Sequence, residues 1–295
     1  MINYNTNEKI RDLVQLKKSD TFRRLIPAII GVCCYTGLIV YIEIYWLKIP
    51  ETSPLKQFTT FHTLLGFVIS MLLVFRTNTA YDRWWEGRRQ WGTLVNCSRN
   101  LAIKINSYLP ADDAMNRKFF RKIIPLFATV LKTHLQAETT RLALDTEPHP
   151  EIPDFDHTRH VPVQVAAVMS AKLDRLYKQN VISGEQYINI NADVTAFMDV
   201  CGACERIKNT PIPYSYRTFI KKFIFLYIIT LPIGLSFVLH YMLIPVVALA
   251  FYVLASLELI AEEIEDPFGN DDNDLPMEKM AANIRKNVED IIHAK

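Results

Sequence analysis

The chain has 295 residues, with 33 Lys and Arg against 31 Asp and Glu for a formal net charge of +2, and half of its residues are hydrophobic. So even a balance excludes the bulk basicity of a nucleic-acid-binding protein. With only nine glycines there is no phosphate-cradling Gly loop, and HExxH and GxSxG are missing too, so an enzyme is not expected.

Residues 1–24 open with polar and basic side chains and no signal peptide, and are expected to be cytoplasmic. Residues 25–47 follow with Glu43 as their one charge. As a helix they would reach about 34 Å, enough to cross a hydrocarbon core of about 30 Å. Pro27 lies near the start, where its missing N–H is tolerated, and Tyr41, Tyr45 and Trp46 gather at the far end as an interfacial belt. Residues 58–75 form a second apolar run whose only titratable group is His62.

Cations flank this pair of runs unevenly. Lys9, Arg11, Lys17, Lys18, Arg23 and Arg24 precede it, and Arg76, Arg83, Arg88 and Arg89 follow it. Lys48 and Lys56 alone occupy the short link, and the positive-inside rule then puts both termini and the middle of the chain in the cytoplasm.

Residues 77–218 have ordinary soluble composition, and helical periodicity is expected over 91–109, 117–135, 165–178 and 184–207. The proline-rich stretch 145–162 reads as a loop. His149, His157 and His160 within it are weighed as a metal group against the commoner reading of solvated loop histidines. Cys201 and Cys204 spell CxxC, but no second pair completes a zinc site, so reduced thiols are expected.

Residues 223–257 contain no Asp, Glu, Lys or Arg. A single helix of that length would measure about 52 Å, so the run must fold back, with the turn expected at 240–245 where Pro245 disfavours helix before it. Membrane helices are thus expected within 25–76 and 219–262, followed by a cytoplasmic segment 263–295. The whole reads as an all-α integral membrane protein of about four transmembrane helices with a cytoplasmic helical domain.

Within the second run, Thr59, Thr63, Phe67, Met71 and Phe75 recur at i+4 and share one face. In a symmetric ring this stripe would give a hydroxyl-lined vestibule and then a narrow apolar neck that passes ions when it wets. Periodicity by itself favours ordinary packing against helices or lipid. His62, Gly66 and Ser70 form the adjacent line, where small residues let another helix approach closely.

Three segments carry a resemblance: FRTNTAYDRWWEGRRQWG at 75–92, CERIKNTPIPYSY at 204–216, and EEIEDPFGNDDNDLP at 262–276. They are similar to the bacterial branch of the bestrophin family, and the likeness spans nearly the whole chain. It implies a homopentamer with one central pore that passes chloride or other monovalent anions across a bacterial inner membrane. Its partners would be permeant ions, lipid and copies of itself, with no required cofactor and no nucleic acid.

Position by position, the resemblance puts the neck rings on Phe67, Met71 and Phe75 and a cytoplasmic aperture on Ile182, with Val181 beside it. Met71 stands where animal relatives carry an aromatic ring, which leaves cation conduction open. Asp271, Asp272 and Asp274 are the candidate Ca²⁺ ligands by the same likeness, with a solvated helix-capping turn as the ordinary reading. A non-conducting membrane scaffold and a secondary transporter are the rival functions.

Overall fold

The computed structural model describes residues 20–47, 58–136, 150–152, 155–156 and 158–292. His149, His157, Lys48, Lys56 and the first four flanking cations lie outside the described residues. Eight α-helices carry the described chain: α1 Asp20–Tyr41, α2 Phe58–Tyr108, α3 Ala114–Gln136, α4 Val161–Lys178, α5 Gly184–Asn209, α6 Tyr214–Leu239, α7 Leu243–Glu265 and α8 Met277–Ile291. No strand occurs among the described residues.

They form two compact units, one of residues 83–211 and 266–295, the other of the described residues up to 82 together with 212–265. We call these the polar-faced unit and the membrane unit. Helix α2 belongs to both. Its 51 residues form one uninterrupted helix, so the separate helical start expected near residue 91 does not exist. Neither Gly nor Pro interrupts residues 67–86, and a chain without a breaker has no local reason to stop.

Local chemistry explains the helix ends of the polar-faced unit. Ser183 caps α5, accepting from Gln186 N at 3.3 Å while the Gln186 side chain accepts from Ser183 N at 2.9 Å, so two orphan donors are satisfied reciprocally. His160 caps α4, its Nδ1 accepting from Val163 N at 3.3 Å. The same helix ends on Asn180, which takes φ 56°, with Val181 N donating to Leu176 O at 2.9 Å. That is a left-handed closure of the kind Asn tolerates. Around these ends, Trp91, Phe119, Phe120, Phe127, Phe197 and Ile284 are buried in one apolar core, to which α8 contributes Met277, Ala281 and Val288.

In the membrane unit, α1 packs on α6 and α7, which also pack on each other. Among the described residues, three helical stretches are long and apolar enough to cross a membrane: Thr21–Leu47, Phe58–Tyr108 and His240–Glu265. The first ends in a π-helical turn, Ile42–Leu47. The fold-back expected at 240–245 is a 3₁₀ turn, His240–Met242, opened by His240 at φ 45°. Pro245 does not break the chain as expected: it lies in the first turn of α7, where its N–H would have had no partner.

Candidate pore-lining site

Helix α2 has one face that packs and a wide one that does not. His62, Ile69, Leu73, Arg76 and Ala80 are buried, and Ile69 and Leu73 join Val40, Ile220, Ile228 and Val247 in the membrane unit's own core. The other side leaves Phe67 70% exposed, Met71 50% and Phe75 52%. None of the three belongs to either apolar core. Leu64, Val68 and Val74 are exposed as well, so the bare surface is broad.

Above the neck candidates, Thr63 donates to the carbonyl of Thr59 at 3.0 Å. That ties its hydroxyl hydrogen to the helix and leaves the oxygen lone pairs outward, as for Ser70, which donates to Gly66 O at 2.7 Å. His62 is a packing residue. Its Nδ1 lies 2.9 Å from the Phe58 carbonyl and its Nε2 3.0 Å from Thr230 Oγ1. A carbonyl only accepts, so Nδ1 carries the proton. A Cβ placed on Gly66 would lie 3.0 Å from the Tyr227 hydroxyl, so this glycine is what lets α6 come in.

Sequence reasoning missed what anchors α2 immediately below Phe75. Arg76, counted among the flanking surface cations, is completely buried. Its Nη2 donates to Glu265 Oε2 at 2.7 Å, and Glu258 stands 3.6 Å from its Nε. Glu265 Oε1 also accepts from Ile212 N at 2.9 Å, so one carboxylate fastens α2 and the start of the segment leading to α6. The available signal was the spacing of Glu258 and Glu265: seven residues is two helical turns, one face. A second buried polar contact joins Glu43 to Ser236.

The Arg- and Trp-rich stretch after Arg76 is structural within the polar-faced unit. Arg83 donates to the carbonyls of Thr210 at 2.5 Å and Ile207 at 2.6 Å, satisfying the last turn of α5. Trp84 donates to Asn273 O at 3.0 Å, Trp91 is buried, and a Cβ placed on Gly87 would lie 3.2 Å from the Phe268 ring.

Ile182 does not fit the aperture expected of it. It is 3% exposed and sits in the core of the polar-faced unit. It immediately precedes the N-cap of α5, the position from which an apolar side chain is drawn inward to meet the fourth helical residue. That residue, Tyr187, packs on the same core, as does half-buried Val181. The exposed side chains of this turn include Ser183, Glu185 and Ile188, and the Ser183 hydroxyl beside Glu185 holds its carboxyl below the usual range.

The acidic turn after α7 is built around Asp274. Its Oδ2 accepts from Asp271 N at 2.5 Å, close enough to Gly269 that a Cβ there would lie 2.8 Å away. Burial pushes its carboxyl up to about 7, the bond from Asp271 N opposes that, and neighbouring acids add to the rise. Asp274 Oδ1 is buried with no partner, whereas Asp271 and Asp272 are exposed. Cys201 and Cys204 are buried, free thiols pushed up to about 12, by burial first and by Glu205 in part. Protonated thiols are poor ligands and nucleophiles.

Such a molecule is a helical membrane protein with one long helix that leaves a row of apolar side chains exposed. Residues 1–290 match the model of the bacterial/fungal bestrophin proteins. The chain belongs to the bestrophin family.

Over 237 residues it is 37% identical to the voltage-dependent anion channel-forming protein sll1024 of Synechocystis sp. (strain ATCC 27184 / PCC 6803 / Kazusa), covering 77% of this chain and 75% of that one. It is 34% identical over 220 residues to the voltage-dependent anion channel-forming protein YneE of Escherichia coli K12, covering 73% and 71%. The crystal structure of a bacterial bestrophin homologue from Klebsiella pneumoniae, solved by Zn-SAD phasing, superposes with a TM-score of 0.77 at 26% identity, over 91% of this chain and 98% of that one.

Proposed function

We propose that this chain is the pore-forming subunit of a bestrophin-type channel that passes monovalent anions down their electrochemical gradient. The observation that carries it is the line of Phe67, Met71 and Phe75, half or more exposed on a helix whose opposite face is packed. Apolar side chains left bare in a row need a partner, and around a symmetry axis copies of the same row supply it while leaving a wettable hole. Relatives named as voltage-dependent anion channel-forming proteins support this reading.

In this proposal five copies assemble in a bacterial inner membrane. Helices α1, α6, α7 and the first part of α2 give four spans per subunit, and both termini lie on the cytoplasmic side. No covalent chemistry is needed. The neck carries no formal charge, so sign selection falls to oriented helix ends and the positive edges of the Phe rings.

Reversal potential in asymmetric KCl, for purified protein in a planar bilayer, tests this directly. A potential near that of chloride is expected, one near that of potassium replaces anion by cation selectivity, and sealed liposomes without flux leave only a scaffold.

Calcium belongs to this proposal through the resemblance. An ion would take the unpartnered Asp274 Oδ1, and the Asp271 and Asp272 carboxylates would turn in to complete an oxygen set. Conductance recorded with Ca²⁺ and then with chelator tests it.

A further inference from the structure

Three helices of the polar-faced unit bring titratable groups to one point. His134 lies in the last turn of α3, His160 caps α4, and Glu205 lies in α5. Glu205 Oε1 is 2.6 Å from Nε2 of His134 and 2.5 Å from Nε2 of His160, and the two imidazoles lie 4.5 Å apart between centroids. One ligand atom from each residue lies within 4.8 Å of the other two, and no other trio of His, Cys, Asp or Glu among the described residues converges so. All three residues are half-buried. His160 thus meets two residues far from it in the chain, while His149 and His157 lie outside the described residues.

We propose that His134, His160 and Glu205 form a binding site for a borderline divalent transition-metal ion, with Zn²⁺ the natural occupant and water completing the shell. Two imidazole nitrogens and one carboxylate oxygen suit zinc over Mg²⁺ or Ca²⁺, which take oxygen ligands. The charges suit it as well, because two neutral imidazoles and one anion leave a dication only partly neutralised and able to hold water. Partial exposure gives the ion an entry path.

Ligand atoms of a tetrahedral zinc lie roughly 3.3 Å apart, given bonds of about 2.0–2.1 Å, so the carboxylate must withdraw by less than about an ångström. Binding also needs the Nε2 lone pair of His160. That moves its proton to Nδ1 and releases the 3.3 Å bond from Val163 N, a long contact and so a weak loss. One turn earlier on α5, Cys201 is a buried free thiol. Occupied, the site would tie the end of α3 and the start of α4 to α5.

The test uses full-length protein in detergent, stripped with chelator and dialysed, titrated with ZnCl₂ by calorimetry and with CoCl₂ by visible absorption. One saturable Zn²⁺ per subunit is expected, with the strong d–d bands of tetrahedral cobalt and a melting temperature raised by about 4 °C or more at saturation. His134→Ala and His160→Asn should each weaken binding at least tenfold. Asn keeps a cap acceptor for α4, so that variant retains the fold, which circular dichroism and gel filtration of the metal-free protein check. Wild-type protein with no saturable binding overturns the proposal. So does binding that survives both substitutions and disappears in His149→Ala or His157→Ala.

Discussion

The two units solve opposite problems with the same kind of helix. In the polar-faced unit the large apolar side chains turn inward: only Trp85, Ile103, Met115, Val163, Tyr177 and Ile188 are exposed among the described residues. In the membrane unit the exposed ones run the length of every helix, from Ile26 to Ile260, and what is buried includes Glu43, His62, Arg76, Glu258 and Glu265. Water pays for hiding apolar surface, so the first unit is held by burial of side chains such as Phe127 and Phe197. Against lipid that driving force between helices vanishes, and close approach at glycine and fixed polar contacts take over.

The sharpest way to break this contrast is to exchange what each unit depends on. Arg76→Ala leaves two carboxylates facing each other in the membrane unit and should cost about 3–5 kcal/mol, read as loss of folded subunit in detergent. Phe197→Ala in the polar-faced unit should cost a similar 3–5 kcal/mol through a cavity, read by thermal melting. If Arg76→Ala melts like wild type, the buried charge cluster does not hold α2 in place.

Smaller changes sharpen the comparison. Gly87→Ala pushes a methyl against the Phe268 ring and Pro267, each 3.2 Å away, and should cost about 1–3 kcal/mol because an aromatic ring in a packed core has little room to yield. Ser183→Ala removes the α5 cap for about 1 kcal/mol. At the bottom of the scale, Phe75→Ala should change subunit stability by no more than about 0.5 kcal/mol, since the side chain meets no core of its own. Its effect belongs to conduction. Single-channel current should rise as the ring is trimmed, and unchanged current in a properly assembled oligomer removes Phe75 from the neck.

Much of this was legible in advance. The period of the apolar residues gave α3, α4 and α5 nearly to their ends, and charge-free runs marked the membrane segments. The face holding Phe67, Met71 and Phe75 followed from helical geometry alone. Gly66 was readable as a point of close approach, and Tyr227 occupies it. Ile182 was misread because a residue name next to a helix start does not say which way its side chain turns. The partners that His160 meets were not legible, since His134 and Glu205 lie 26 and 45 positions away.

What the sequence determined by itself is therefore the local and the periodic: helices, their caps, the stretches that lipid will accept, and the line of side chains on one face. These depend on neighbours within a turn or two of the chain. Only the tertiary structure decided which charges are buried together and which histidines meet, as with Arg76 beside Glu265 and His134 beside His160. Contacts between residues far apart in sequence leave no periodic trace, because they are set by how whole helices pack and not by anything the intervening residues encode.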